Sequence, residues 1–518
     1  MNEPADRGLP PHLAALLTPR AYPHEVGEIR LVETHISWVL LTGGIAYKIK
    51  RPVRYPFVDL RSAERRRFLC EEEVRLNRRF APELYEAVVP ITVEAGNARI
   101  GGSGEAVEHA VRMRQFARSE ELAVLVAESR IGPDELRTFG RYLFGIHREL
   151  PADVAGPFST VDAVRASLLA NVEQLESIAA RSGTALPDAS FRPRIESLIG
   201  RHARTIEGRK ASGHVRECHG DLHCRNVVRH AGRLVAFDCL EFEEAFRWID
   251  VAQEIAFLWM DLTARGAPAH AAAFLGAYLE AGGDYEACRL LRLYGAHCAL
   301  VRAKVAATGT PSPTDFAAYA GCARQLLGTD RRPTLVLTSG FSGSGKTWLA
   351  RRLAPEIGAI HLRSDVERKR LAGVDPLAGT ASPVGGGAYA SDMNARTYRR
   401  LAASAADALA GGFNVIVDAT FQRREDRARF VTLAREMNAR LALVRCGAPD
   451  AVLEARIRER TRSAHDASEA DLAVLDWQRT HVESIGPEEG LAVIDADTTR
   501  DSVVSDVGKA LDAFGLSR

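Results

Sequence analysis

No stretch of the 518-residue chain is apolar for long enough to cross a bilayer, so no membrane-spanning helix is expected. Net charge is also nearly absent. Lys and Arg number 68 against 67 Asp and Glu, which leaves +1. Bulk electrostatics therefore make no case for nucleic acid or an anionic membrane as partner, and long nucleic acid is the least expected of all. Local arginine clusters remain able to hold phosphate. The eight cysteines are scattered, and no C-x-x-C pair occurs. Cys218-His219 and His223-Cys224 crowd together, yet a zinc site is not the expectation there. Reduced thiols are the default for a cytosolic protein. The first residues, Met1-Asn-Glu-Pro-Ala-Asp6, are acidic and polar and do not read as a signal peptide, so the expected location is the cytoplasm. No internal repeat is found.

What is present is an ordinary globular composition, 46% hydrophobic and 26% charged, over a length that predicts two or three domains. Residues 1–30 carry Pro and Arg and little periodicity. His35–Leu41 and Ile45–Lys50 read as a hairpin around Thr42-Gly43-Gly44, with Lys48 and Lys50 on one face. Glu64–Phe80 has helical spacing and carries Glu71, Glu72 and Glu73. Val88–Val93 and Ala106–Met113 read as strands, so the first 115 residues form a small sheet with one helix. Beyond Ser119 the pattern is helical, as in Glu135–His147, interrupted by Glu217–Val228 and a short strand Leu234–Phe237. Residues 246–325 are helical again, with a turn at Gly309–Thr314. Gly328–Pro333, short and polar, is the best domain boundary. After it, strands at 334–338, 358–363, 413–418, 441–446 and 491–495 alternate with helices, the pattern of a parallel α/β sheet. Gly373–Gly387 is rich in Gly, Ala and Pro and reads as a mobile loop.

Two constellations carry chemistry. The first is Gly340-Phe-Ser342-Gly343-Ser344-Gly345-Lys346-Thr347, between the apolar run Thr334–Thr338 and Trp348–Leu353. Strand, glycine-rich turn and helix in that order satisfy the P-loop pattern G-x-x-x-x-G-K-[ST] and its context. Glycines let backbone N–H groups close around phosphate oxygens, and the helix N-terminus favours negative charge. Lys346 is placed to reach the β- and γ-phosphates of ATP, and Thr347 to hold Mg²⁺. Further on, Asn414–Asp418 is an apolar strand ending in a carboxylate, the position from which Asp418 supports Mg²⁺.

The second constellation is His219-Gly-Asp221-Leu-His-Cys-Arg-Asn226, of the form H-x-D-x-x-x-x-N, followed by Asp238 at a strand end. Phosphoryl transfer needs an Asp beside the acceptor hydroxyl, an Asn and a second Asp on the metal, and a lysine on the α/β-phosphates oriented by a helix Glu. Candidates for all of these occur in chain order. Lys48 and Lys50 compete for the lysine role, as do Glu71 and Glu73 for its partner.

Here the residues carry a resemblance. His219–Asn226, Val235-Ala-Phe-Asp238 and Asp250 in Trp248-Ile-Asp-Val-Ala resemble the aminoglycoside phosphotransferase family, a branch of the protein-kinase-like fold. It implies an α+β, kinase-like domain over 1–328, with an N-lobe at about 30–115 and a helical C-lobe at about 116–328. It also implies Asp221 as the catalytic Asp, Asn226 and Asp238 as metal ligands, and Asp250 as the Asp that braces the catalytic loop. A G-x-G-x-x-G loop is missing; only Gly43-Gly44 occurs.

Residues 333–518 resemble the P-loop kinases that include gluconate kinases, polynucleotide 5′-kinases and zeta-type toxins. The resemblance implies an α/β P-loop NTPase sheet and Asp365 as acceptor base. Ser364-x-x-Glu367 reads equally as a capping box. Arg456 and Arg460, four apart on one helix, become a lid, with Arg462 and His465 in a polar loop after them. The next helix starts at Ser468–Asp471. Both halves together resemble a bacterial two-domain family. The expected activity is ATP- and Mg²⁺-dependent phosphotransfer to a small hydroxyl-bearing acceptor from two nucleotide sites. The competing classes are a first half that only recruits substrate, and a nucleotide-gated regulatory ATPase.

Overall fold

The computed structural model describes residues 9–55, 58–94, 97–182, 190–308, 312–328, 332–374, 391–463 and 471–516. They form two compact units. The first comprises Met1–Ile131, Gly145–Thr160 and Arg209–Glu254; the second comprises Gly132–Phe144, Val161–Gly208 and Ile255–Arg518.

The first unit is built on an antiparallel sheet of β1 (Arg30–Glu33), β2 (Ser37–Leu41), β3 (Ile45–Lys50), β4 (Tyr85–Glu94), β5 (Asn97–Ile100) and β6 (Ala106–Arg114), in the order β1-β2-β3-β6-β4-β5. The expected hairpin is present, with Val39 opposite Lys48. Gly43 turns it at φ +103 and donates its amide to Gln115 Oε1 at 2.9 Å. Alternation along β3 puts Tyr47 and Ile49 into a core with Trp38, Leu40 and Ile91, and turns Lys48 and Lys50 to the other face. Leu13, on the five-residue helix Pro11–Ala15, and Leu16, just after it, close that core. So short a helix shows no periodicity, which is why residues 1–30 looked featureless. The helix Ala63–Asn77 is capped by Ser62 Oγ, which accepts from the Arg65 amide.

Besides a two-residue ribbon of Arg54–Tyr55 with Val58–Asp59, two small ribbons lie later in the unit. β7 (Val215–Glu217) pairs with β10 (Trp248–Asp250), and β8 (Val227–His230) pairs with β9 (Arg233–Ala236). Only β9 was legible in advance. The segments 218–226 and 237–247 connect these ribbons.

The second unit contains apolar helices Pro268–Gly282, Cys288–Thr308 and Pro313–Leu327, the last capped by Ser312. It also contains five parallel strands: β11 (Thr334–Ser339), β12 (Ala359–Arg363), β13 (Asn414–Asp418), β14 (Arg440–Gly447) and β15 (Ala492–Asp497). Their order is β12-β13-β11-β14-β15. All five fall within a residue or two of their expected positions. Val336, Ile416, Val444 and Ile494 pack against Leu349 and Leu353 of the helix Lys346–Ile357 and against Val503, Val507 and Leu511.

Two local expectations need correction. Ser364 is the first residue of the helix Ser364–Leu371, not its cap, and Glu367 is fully buried on Arg370 and Arg400. No capping box forms. Arg462 belongs to the helix Asp450–Ser463 instead of a loop. The helix Leu472–His481 is capped by Asp471, whose Oδ1 accepts from the Val474 amide at 2.9 Å. His465, residues 468–470, 375–387 of the glycine-rich stretch, 309–311 and 329–331 lie outside the described residues.

Candidate active sites

In the first unit, β3 delivers both lysines to one carboxylate. Lys48 Nζ lies 2.7 Å from Glu73 Oε1 and 2.5 Å from Asp238 Oδ1. Lys50 Nζ lies 2.5 Å from Glu73 Oε2 and also bonds Glu241. The open choice between the glutamates is thereby decided: Glu73 is buried between the lysines, while Glu71 is exposed on Arg67. Burial alone would lower the pKa of Lys48. The carboxylates of Asp238, Glu73 and Glu241 override it and hold the amine well above the ordinary lysine value. Glu241 was not foreseen, since nothing in its local sequence marks it.

Asp238 sits at φ +65, a costly conformation for a residue with a Cβ. Its amide donates to Tyr85 Oη at 3.0 Å, and the next amide, of Cys239, donates to Asn77 Oδ1 at 2.9 Å. Those two bonds hold the carboxylate toward Lys48. Asn226 Nδ2 lies 3.0 Å from both Asp221 Oδ2 and the Asp221 carbonyl, and His223 Nε2 lies 3.4 Å from the same carboxylate. Asp221 and Asn226 are therefore one hydrogen-bonded group. Cys218 is buried, and its thiol donates to the Ile249 carbonyl at 3.6 Å. His219 Nε2 meets the Phe237 carbonyl at 2.8 Å, and burial pushes that ring down to about 4, so it is neutral at pH 7. Among the described residues no three His, Cys, Asp or Glu side chains are grouped to hold a metal.

The bracing of this loop differs from the expectation. Asp250 is fully engaged by buried Arg209, at 2.8 and 2.9 Å, and by the Ala252 amide. The loop is held by Glu254 instead. Its Oε1 accepts from the His219 amide at 2.7 Å and its Oε2 from the Gly220 amide at 3.1 Å. The helix Val251–Ala264 begins directly after Asp250, so the two acids differ by one turn. That spacing was the available signal. Burial raises the Glu254 carboxyl to about 7. Gly220, at φ +84, admits no side chain, because a Cβ would lie 2.7 Å from the Phe246 carbonyl.

In the second unit the P-loop leaves β11 and enters the helix Lys346–Ile357, with Gly345 in the left-handed region at its cap. Gly340 and Gly343 are obligatory. A Cβ on Gly340 would lie 2.4 Å from the Cys446 carbonyl, and one on Gly343 would lie 2.6 Å from that of Leu453, both at positive φ. Ser342 and Ser344 are buried; the Ser342 amide donates to Gln478 Oε1 at 2.8 Å, and among the described residues Ser344 Oγ finds no hydrogen-bond partner. Lys346 Nζ folds back on the carbonyls of Gly340 and Phe341, at 2.9 and 2.8 Å. Burial lowers its pKa; Asp418 and Asp365 oppose that shift and Arg460 adds to it.

Thr347 Oγ1 donates to Asp418 Oδ2 at 2.7 Å, and His361 Nε2 lies 3.2 Å from the same oxygen. Burial would raise the Asp418 carboxyl, but His361, Thr347 and Arg363 together depress it to about 2. It is ionised at any physiological pH. His361 was missed: on β12 it reads as one polar residue between Ile360 and Leu362. Asp365 is a quarter exposed and bonds Arg368 Nη1 at 3.0 Å. Arg456 donates to the Gly343 carbonyl at 3.3 Å, to Thr498 Oγ1 at 2.9 Å and to the Thr498 carbonyl at 3.0 Å. It ties the P-loop to the end of β15. Arg460, one turn on, is half-buried and close enough for its charge to act on Lys346.

The residues present fit a nucleotide phosphate and Mg²⁺. The cradle is too tight for side chains, it holds a buried hydroxyl that no described residue partners, and a threonine hydroxyl and an ionised carboxylate meet at its mouth.

Comparison with known proteins finds a family model for each of two stretches of the chain. Residues 57–291 match the model of the phosphotransferase enzyme family, and residues 335–485 match that of an AAA domain. An uncharacterized protein of Mycobacterium tuberculosis is 28% identical over 471 residues, 88% of this chain and 92% of that one, and one of Mycobacterium bovis is equally similar. Among solved structures, a choline kinase from Cryptosporidium parvum is similar with a TM-score of 0.36 and 10% identity, over 61% of this chain and 94% of that one. A gluconokinase from Sinorhizobium meliloti 1021 is similar with a TM-score of 0.26 and 19% identity, over 36% and 94%. The chain thus carries a stretch that matches the phosphotransferase family model, followed by a P-loop stretch that matches an AAA-domain model.

Proposed function

We propose that the chain is an ATP-dependent phosphotransferase with two nucleotide sites, each passing a γ-phosphoryl group to a small hydroxyl-bearing acceptor. The observation that carries the reading is the contact of Thr347 with Asp418 at the mouth of the P-loop, 2.7 Å across. Mg²⁺ bound there supplies neutralisation of the charge on the β- and γ-phosphates. Lys346 leaves the carbonyls of Gly340 and Phe341 to reach the same phosphates. Asp365 accepts the proton of the acceptor hydroxyl as the new O–P bond forms and the bond to the β-phosphate oxygen breaks. Arg456 and Arg460 screen the charge that spreads over the transferred group.

In the first unit Lys48, oriented by Glu73 and backed by Lys50, would bind the phosphates, and Asn226 and Asp238 would hold a metal ion that offsets phosphate charge. Asp221 accepts the acceptor's proton, and its bond to Asn226 keeps it in place. Small acceptors suit both sites better than long nucleic acid, because the net charge of +1 provides no electrostatic footprint for a polyanion. The test is to incubate the full chain with γ-labelled ATP and a metabolite extract. Label appearing in organic phosphate is the expected result. Label found only in inorganic phosphate would make the protein a slow, nucleotide-gated ATPase and overturn the reading.

A further inference from the structure

Glu241 has no part in the reaction above, yet it belongs to the same group of charges in the first unit. Along β3, Lys48 and Lys50 are two residues apart and share the face opposite Tyr47 and Ile49. Glu73 stands between them. Its Oε1 accepts from Lys48 Nζ at 2.7 Å and its Oε2 from Lys50 Nζ at 2.5 Å. Beyond the lysines lie the two ends of one short segment. Asp238 Oδ1 accepts from Lys48 at 2.5 Å, and Glu241, three residues on, accepts from Lys50. The charges therefore alternate in a line: Asp238, Lys48, Glu73, Lys50, Glu241. One end is open, with almost half of the Asp238 side chain exposed. The other is closed, with Lys50 and Glu73 fully buried and Glu241 nearly so.

The segment itself is held by other bonds. The amides of Asp238, Cys239 and Leu240 donate to Tyr85 Oη, Asn77 Oδ1 and the His219 carbonyl, at 3.0, 2.9 and 3.0 Å. The Glu241 carboxylate acts on the charge balance instead. Three carboxylates against two amines leave the group with one negative charge. Among the described residues Lys50 meets no acceptor but Glu73 and Glu241. With Glu241 present, the two buried acids neutralise both lysines, and Asp238 is surplus. Without it, the two amines have only Glu73 and Asp238 between them. A buried amine keeps its counter-charge at close range, because water is not there to replace it. Asp238 is then held on Lys48, and less of its charge is left for a cation.

We propose that Glu241 is a positioning residue of the first nucleotide site. By neutralising Lys50 it leaves Asp238 free to exchange Lys48 for a metal ion as Lys48 turns to the phosphates. The inference rests on the reading of Lys48 as the phosphate lysine and Asp238 as a metal ligand.

The experiment uses the full chain and a reagent that reports each site by itself. ATP acylated on its γ-phosphate passes the acyl group to a lysine amine at the phosphates and leaves as ATP; peptide mass spectrometry then tells Lys48, Lys50 and Lys346 apart. In the unaltered chain Lys48 should be labelled and Lys50 not. Glu241→Gln keeps the size of the side chain and an acceptor for Lys50. In that variant half-maximal labelling of Lys48 should need about 10-fold more Mg²⁺, a usual effect of losing an outer-shell partner. Labelling without Mg²⁺ should not fall, because the site has lost a negative charge. Lys346 should be labelled as before at every Mg²⁺ concentration. Glu241→Gln with Lys50→Met leaves one amine against two acids, makes Asp238 surplus again, and should recover most of the shift. Structural damage would not be repaired by removing a second buried group.

An unchanged Mg²⁺ requirement at Lys48 in Glu241→Gln would overturn the proposal. So would equal loss of labelling with and without Mg²⁺, or no recovery in the double variant. Should Glu241→Gln alone not fold, the double variant decides: a requirement about 10-fold above that of the unaltered chain overturns the proposal there too. Lys48 unlabelled in the unaltered chain would remove the first nucleotide site, and the proposal with it, while labelling of Lys346 would leave the P-loop reading standing.

Discussion

At the scale of single residues, the two sites divide labour among groups that touch each other. Asp221 and Asn226 share a hydrogen bond, and Lys48 joins Glu73 to Asp238. Replacements should therefore separate proton transfer from metal and phosphate binding. In a chain carrying Lys346→Ala, which should abolish ATP use at the P-loop, Asp221→Asn should cut transfer about 10²–10⁴-fold and spare nucleotide affinity. Asp238→Asn in the same chain should weaken Mg·ATP binding itself, as measured by calorimetry. Unchanged transfer in Asp221→Asn would leave the first unit as a recruiting module.

Glu254 gives a prediction with a sign. Its folded carboxyl is raised from 4.5 to about 7, so the folded state binds the extra proton between those values. Stability from this group is fully present below pH 4.5 and is lost as pH rises through 7. The loss amounts to roughly 3 kcal/mol. Melting temperature should fall across that window, and Glu254→Gln should flatten the fall. An identical pH profile in the variant would show that the carboxyl does not titrate there.

At the scale of elements, the strands were legible because their spacing is local. β3 alternates, β11 to β15 are apolar runs bounded by turns, and Glu73 lies on a helix with readable periodicity. The connectors were not legible. β7, β8 and β10 are three or four residues long, and they form because a distant partner offers hydrogen bonds. The segment after Asp418 is held in the same non-local way. Fully buried Arg427, on the helix Arg424–Glu436, donates to the carbonyls of Phe421, Gln422, Glu483 and Ser484 and pairs twice with Glu489. Arg427→Met should cost about 3–5 kcal/mol, since it removes both bonds to the part-buried Glu489 carboxylate and leaves several carbonyls without their donor. Urea titration of the full chain reads that loss; a shift under about 1 kcal/mol would show that the segment holds without it.

At the scale of the whole molecule, the compact units do not follow the order of the chain. Residues 255–308 and 312–327 belong to the same compact unit as the P-loop sheet. Arg289 bonds Asp407 at 2.8 Å, Arg292 donates to the Gly412 carbonyl, and Gly411 lies so close to Cys288 that a Cβ would sit 2.1 Å from its carbonyl oxygen. None of these contacts needs the link at 329–331. A chain cleaved there should remain associated on gel filtration, and the two pieces should separate only on denaturation. Separation under native conditions, with cooperative melting of each piece, would make the link the main connection between them.

The sequence by itself determined the P-loop, the loop His219–Asn226 and the parallel sheet, because each is a short-range pattern imposed by phosphate geometry or by strand and helix periods. Only the tertiary structure decided that Glu73 and not Glu71 meets the lysines, that Glu254 and not Asp250 braces the loop, and that His361 and Glu241 stand around the charged groups. Those choices depend on which side chains are brought together across more than a hundred residues of chain. Burial then raises the cost of leaving any such charge without its partner, and no local pattern records that.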